Sequence, residues 1–159
     1  YPQLYQGIDY IDLSQENILL GLPITHPLVD PEEATYPPAK PFDLRQLEQD
    51  DFSTALSSST MRMDLIDPMF QRAGFRPNIV TESSYNSFLE QTASMGLCNT
   101  IIPQSQVHDH TNIAWYYLPD FPQFHFGAIY PEGYQLSHAM LRFLELARNY
   151  AQQHLQSAL

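Results

Sequence analysis

Apolar residues recur along this chain at two spacings, and their alternation predicts strands interleaved with helices. The run "ENILLGLP" (Glu16–Pro23) has a short apolar centre closed by proline and predicts a buried strand. Thr25–Phe42, "THPLVDPEEATYPPAKPF", holds five of the thirteen prolines and predicts loop. "FDLRQL" then reads as a helical turn and "DFSTAL" as a strand with Phe52 and Leu56 apolar. Ser57–Thr60, "SSST", offers N-caps to a helix over Met61–Ala73, in which Leu65, Ile66, Met69, Phe70 and Ala73 share one face. Pro68 inside that helix predicts a kink or restart, with Asp67 pushed out of helical dihedrals; Gly74 and Pro77 are its stop signals.

The next stretch, Asn78 to Pro103, predicts strand–helix–strand. "NIVTE" is the first strand; Ser83 or Ser84 caps a helix burying Tyr85, Phe88, Leu89, Thr92 and Ala93; Gly96 ends it and "NTIIP" follows. Such a unit favours a parallel pair joined by a right-handed crossover. "IAWYYLP" and "FHFGAIY" predict two further strands. A final helix over about Gln135–Gln156, opened by Ser137, carries an apolar stripe of Met140, Phe143, Leu144, Ala147, Tyr150, Ala151 and Leu155. The whole pattern is α/β.

A hydrophobic content of 43% and an aromatic content of 13% supply a packed core. The net charge of −11 and the scatter of the seven Lys and Arg argue against direct nucleic-acid binding by this chain. No apolar run nears the roughly 20 residues of a membrane span, and no basic-then-apolar signal opens the chain, which reads as soluble. Its single cysteine, Cys98, excludes an internal disulfide and fits a reducing, cytoplasmic setting. The chain starts at Tyr1 rather than Met, which reads as a processed product or a piece of something longer.

"HDH" (His108, Asp109, His110) is the densest group of potential metal ligands. A closed zinc site needs three or four ligands, and no CxxC or HExxH supplies the rest, so the reading is a solvated loop and no metal. Cys98, at the start of an apolar strand, reads as a small packed hydrophobe. Without GxSxG or a phosphate-cradling glycine loop, the reading is no enzyme and no cofactor. Two helices, however, begin with hydroxyl-rich runs directly after strands, "SSST" and "TESS". Ligands of open α/β sheets bind outside the carboxyl ends of strands, where helix N-termini present N–H groups to a small anion such as a carboxylate. Plain capping explains the same residues, and both readings stand.

The order of these motifs resembles the effector-binding domain of LysR-type transcriptional regulators. "ENILLGLPITHPL" looks like the strand and proline-containing crossover between that family's two lobes. "STMRMDLIDPMFQRAGFRP" is similar to its second-lobe helix, "VTESSYNSFLEQTASMGLCNTIIP" to its strand–helix–strand, and "FHFGAIYPEGYQLSHAMLRFLELA" to its last strand and helix. The resemblance runs from about Glu16 to Leu155. It implies a two-lobed, periplasmic-binding-protein type 2-like fold with the first lobe incomplete: residues 1–23 and 114–159 in lobe one, 24–113 in lobe two. It implies a small-molecule effector, with a carboxylate as candidate, held between lobes. Carried over position by position, the ligand contacts are Ile24 and Thr25 at the crossover, Ser59, Thr60 and Arg62 before the helix, Thr81, Glu82 and Ser83 at the next lip, and Cys98 in the turn after it. Cys98 and Asn99 occupy a turn that is normally smaller, so the pocket's shape departs from the pattern. The winged helix-turn-helix of the family lies outside this chain, so DNA is reached only through it. Orphaned strand edges and the apolar face of the last helix imply a homo-oligomer. The alternative is a solute receptor of the same fold feeding a transporter.

Overall fold

The computed structural model describes residues 6–118 and 123–154. Packing divides the chain into two compact units, residues 1–16 with 125–159, and residues 17–124. Strands expected in lobe one, Ile18–Pro23 and Ile113–Tyr117, are hydrogen-bonded into the sheet of the second unit, so the chain passes between units near residues 16 and 124 rather than near 23 and 114. The reason is pairing: both strands are inner or adjacent partners in that sheet.

The larger unit is built on β2 (Ile18–Pro23), β3 (Asp51–Ala55), β4 (Asn78–Ser83), β5 (Asn99–Pro103) and β6 (Ile113–Tyr117), in the order β4-β3-β5-β2-β6. The smaller unit contains β1 (Ile8–Glu16), β7 (Phe124–Pro131) from His125 onward, and a terminal helix. β3 runs parallel to β4 and β5, whereas β2 runs antiparallel to β5 and β6. The expected parallel pair from Asn78 to Pro103 therefore has β3 inserted between its two members.

β2 is buried at every position because both faces of the sheet are covered. Leu20, Leu22 and Ile101 pack with Phe52, Ile66, Met69 and Phe70 on one face. Leu19 and Ile102 pack with Leu89, Ala93 and Trp115 on the other. That is the two-residue period of a strand, read in space. Gly21 is required beside the indole: a Cβ there would lie 2.7 Å from the Trp115 ring.

The first helix enters through a π-helical stretch, Arg62–Ile66, and continues as α1 (Asp67–Ala73). Asp67 keeps helical dihedrals (φ −63, ψ −43), contrary to the expected displacement. The wide turn ahead of Pro68 absorbs its missing donor, as such bulges commonly do. Gly74 ends the helix at φ 88, where a left-handed residue is needed. α2 (Asn86–Ser94) buries Leu89, Glu90, Thr92 and Ala93, while Tyr85 and Phe88 are exposed, so its buried face is rotated from the expected one.

α3 (His138–His154) is opened by Ser137, whose Oγ accepts the Met140 N–H at 3.3 Å. Of its predicted stripe, Ala151 is buried and Leu144 and Ala147 are half-buried, but Met140, Phe143 and Tyr150 are exposed. Two strands, β1 and β7, cannot cover a seventeen-residue helix. Leu155 lies outside the described residues.

Candidate functional site

Strand direction decides which candidate residues meet. Because β3 and β4 are parallel and in register from Ser53↔Thr81 to Ala55↔Ser83, their carboxyl ends lie side by side. The two hydroxyl-rich runs that follow them therefore form one lip. Ser57 N–H donates to Glu82 Oε2 at 3.1 Å, joining the runs directly.

Arg62 holds this lip together. Its side chain is only 10% exposed, with Nε on Asp67 Oδ1 and Nη1 at 3.3 Å from Glu82 Oε1 and 3.4 Å from the Ala55 carbonyl. Glu82 thus takes Arg62 on one oxygen and the Ser57 backbone on the other. Nε and Nη1 are thus engaged by protein groups on both sides of the lip, which gives Arg62 a positioning role there. The three side chains, two carboxylates and one guanidinium, sum to −1.

The hydroxyls do local work without being exhausted by it. Ser59 Oγ accepts the Arg62 N–H at 3.2 Å, a capping contact, and Ser83 Oγ accepts the Tyr85 N–H at 3.0 Å. Each hydroxyl is used there as an acceptor and retains its own O–H for a ligand acceptor. Thr60 is exposed beside Ser59, and Thr81 is half-buried opposite Ser53.

Ile24, Thr25 and Cys98 do not join them. β2 runs against β5, so its Pro23 end lies beside the start of β5, at the opposite edge of the sheet. There Ile24 N–H donates to the Asn112 carbonyl at 2.8 Å, and the Thr25 hydroxyl comes within 3.8 Å of where a Gly96 Cβ would stand. The five residues of β3 separate the groups by on the order of 15 Å at about 3.3 Å per residue. Cys98 is buried, as packing predicts. Within the larger unit, these three residues stand apart from the lip.

The carboxyl edge carries a second polar group with no sequence signal. Asn17 Nδ2 donates to Gln104 Oε1 at 3.0 Å, Gln104 N–H to the Asn17 carbonyl at 2.9 Å, and Gln123 Nε2 to Asn17 Oδ1 at 3.3 Å. These amides tie the outgoing chain, the end of β5 and the returning chain. Only their separation of about a hundred residues hid them.

The "HDH" run is a clasp. Glu90 Oε1 accepts the N–H groups of His108 and Asp109 at 2.6 and 2.8 Å. Asp109 accepts the Ser94 hydroxyl, both N–H donors of Asn112 and the Thr111 N–H. His110 stacks on Tyr36 at 4.0 Å while His108 faces Glu90, so the two imidazoles diverge. Among the described residues, no group of three or more His, Cys, Asp or Glu is placed to hold a metal ion. None of the helices described is long and apolar enough to cross a membrane.

The family model for the LysR substrate binding domain matches residues 1–152. No curated protein matches the sequence. Among solved structures, the fold is similar to the effector binding domain of QuiR in complex with shikimate, at 19% identity and a TM-score of 0.74 over 98% of this chain and 70% of that one. It is similar to the Synechocystis CcmR regulatory domain in complex with 2-PG, at 16% identity and 0.72 over 91% and 67%. It is also similar to HinK, a LysR family transcriptional regulator from Pseudomonas aeruginosa, at 15% identity and 0.69 over 92% and 48%. The chain thus spans about half the length of HinK. At these identities the likeness is one of fold, the two-lobed periplasmic-binding-protein type 2 kind.

Proposed function

The chain belongs to the LysR substrate-binding domain family, the effector-binding part of LysR-type transcriptional regulators, and from that premise we propose that its lip at the ends of β3 and β4 senses a small hydroxylated carboxylate. The family is regulatory, and the match favours a regulator over a solute receptor of the same fold. The observation that supports the site is the parallel register of β3 and β4, which brings the starts of the two hydroxyl-rich runs together, with Ser57 N–H on Glu82 Oε2. With Arg62 spent on Asp67 and Glu82, a ligand carboxylate would be met by hydroxyls and by the first turn of the helix. The ligands of QuiR and CcmR, shikimate and 2-PG, are the first candidates.

In this reading no bond is made or broken and no catalytic residue is involved. Effector binding biases two states of an oligomer, and a helix-turn-helix elsewhere in the parent protein carries that bias to DNA in the cytoplasm. Residues 17–124 form the sensing lobe. Thr60→Val will weaken binding of shikimate or of 2-PG, whichever titrates the wild type, by about 1–3 kcal/mol, because a hydroxyl partner is lost. Calorimetry checks this, with circular dichroism as the control for folding. An unchanged titration removes Thr60 from the site.

The exposed apolar face of α3, with Ile129 and Tyr130 of β7, supports self-association. A contiguous patch of this kind on a free surface is rare among monomers. Light scattering will therefore show a mass above 18.3 kDa that falls on dilution. A constant monomer mass across concentrations rules this out.

A further inference from the structure

The proline-rich arch, which the lip does not use, encloses a second concavity. Leaving β2, it is pinned where His26 Nε2 meets Asp50 Oδ2 at 2.8 Å. It returns alongside β6, with Phe42 N–H on the Tyr117 carbonyl at 2.8 Å and Tyr117 N–H on the Lys40 carbonyl at 3.3 Å. Between the arch and β6 lies a cavity of about 210 Å³. Its lining residues include three aromatic ones (Phe42, Trp115 and Tyr116) and three charged ones (Asp30, Glu33 and Lys40).

Each wall has a fixed reason to be there. Trp115 is buried and its indole N–H donates to the Asp109 carbonyl at 2.7 Å, which holds the ring in place. Phe42 and Tyr116 pack tilted at 5.0 Å. Lys40 is taken by Glu33, which leaves the lining with a net charge of −1 from Asp30. Those charges reach the aromatic wall: the Tyr116 hydroxyl is held above its ordinary range by burial, and Asp30 and Glu33 raise it further against the opposite pull of Lys40. Ring faces and a surplus carboxylate attract cations, and a chain of net charge −11 repels anions.

We propose that this cavity binds a small organic cation of the alkylammonium class. At about 30 Å³ per water-sized group it holds roughly seven such groups, room for a quaternary ammonium head. The site is separate from the β3–β4 lip, and its occupancy does not depend on the effector reading.

The sole tryptophan lines the cavity, so intrinsic fluorescence reports on it directly. Tetramethylammonium chloride, titrated at constant ionic strength, will change Trp115 emission saturably. tert-Butanol, a neutral molecule of the same shape, will not. Asp30→Asn will weaken the tetramethylammonium titration about fivefold, and Lys40→Met, which frees Glu33, will tighten it by a similar factor. A linear response, an equal response to tert-butanol, or the same affinity in both variants overturns the proposal.

Discussion

Arg62→Met will lower the unfolding free energy by about 3 kcal/mol, measured by urea denaturation, and will speed hydrogen exchange at the Ser57 amide. The substitution keeps the aliphatic bulk and removes the charge. What it leaves behind is a buried Ala55 carbonyl without its partner and two carboxylates, Asp67 and Glu82, facing each other across the gap. Removing one member of a buried pair costs about 3–5 kcal/mol when the survivors stay buried. Here Asp67 and Glu82 side chains are 42% and 33% exposed, so water repays part of the loss and the lower end applies. Glu82→Gln will cost less, because the amide oxygen still accepts from Ser57 or Arg62. If Arg62→Met unfolds at the wild-type urea concentration, the guanidinium does not hold the lip.

This arrangement shows what local sequence reveals and where it stops. β2, the stops at Gly74 and Gly96 and the cap at Ser137 are legible because each is decided within a few neighbours: an apolar run, a left-handed residue, a hydroxyl before a helix. The Arg62–Glu82 tie spans twenty residues and has no spacing rule, so the sequence offers Arg62 as a ligand contact and gives no sign of its hold on Glu82. Ile24 and Thr25 read as neighbours of Ser59 for a related reason. Strand direction is set by which strands pair, and the antiparallel run of β2 against β5 sends its end to the far edge. The polar-spaced β1, "IDYIDLSQE", leaves no clear period to mark it as a strand.

The "HDH" clasp yields the other large effect. Burial raises the Asp109 carboxyl, but hydrogen bonds from Asn112, Ser94 and Thr111 outweigh it and hold the group far below the usual carboxylate range. A depressed folded-state value means stabilisation that is complete above the unfolded value of about 4 and drains away as pH falls below it. Asp109→Ala will cost about 2–3 kcal/mol at neutral pH, since four donors lose a charged acceptor at a partly exposed site. Asp109→Asn will cost about 1 kcal/mol, because one amide oxygen can still take the Thr111 and Asn112 N–H groups. The gap between wild type and either variant will narrow as pH falls below about 4, where the carboxylate of the unfolded chain takes up a proton that the folded one still refuses. Urea denaturation of the three proteins across that range separates this from packing loss, which would leave the gap constant with pH. The clasp fastens the loop after β5 to the end of α2 and fixes the Asp109 carbonyl that receives the Trp115 indole. Loosening it should therefore also broaden Trp115 emission, linking the edge of the sheet to the wall of the second cavity.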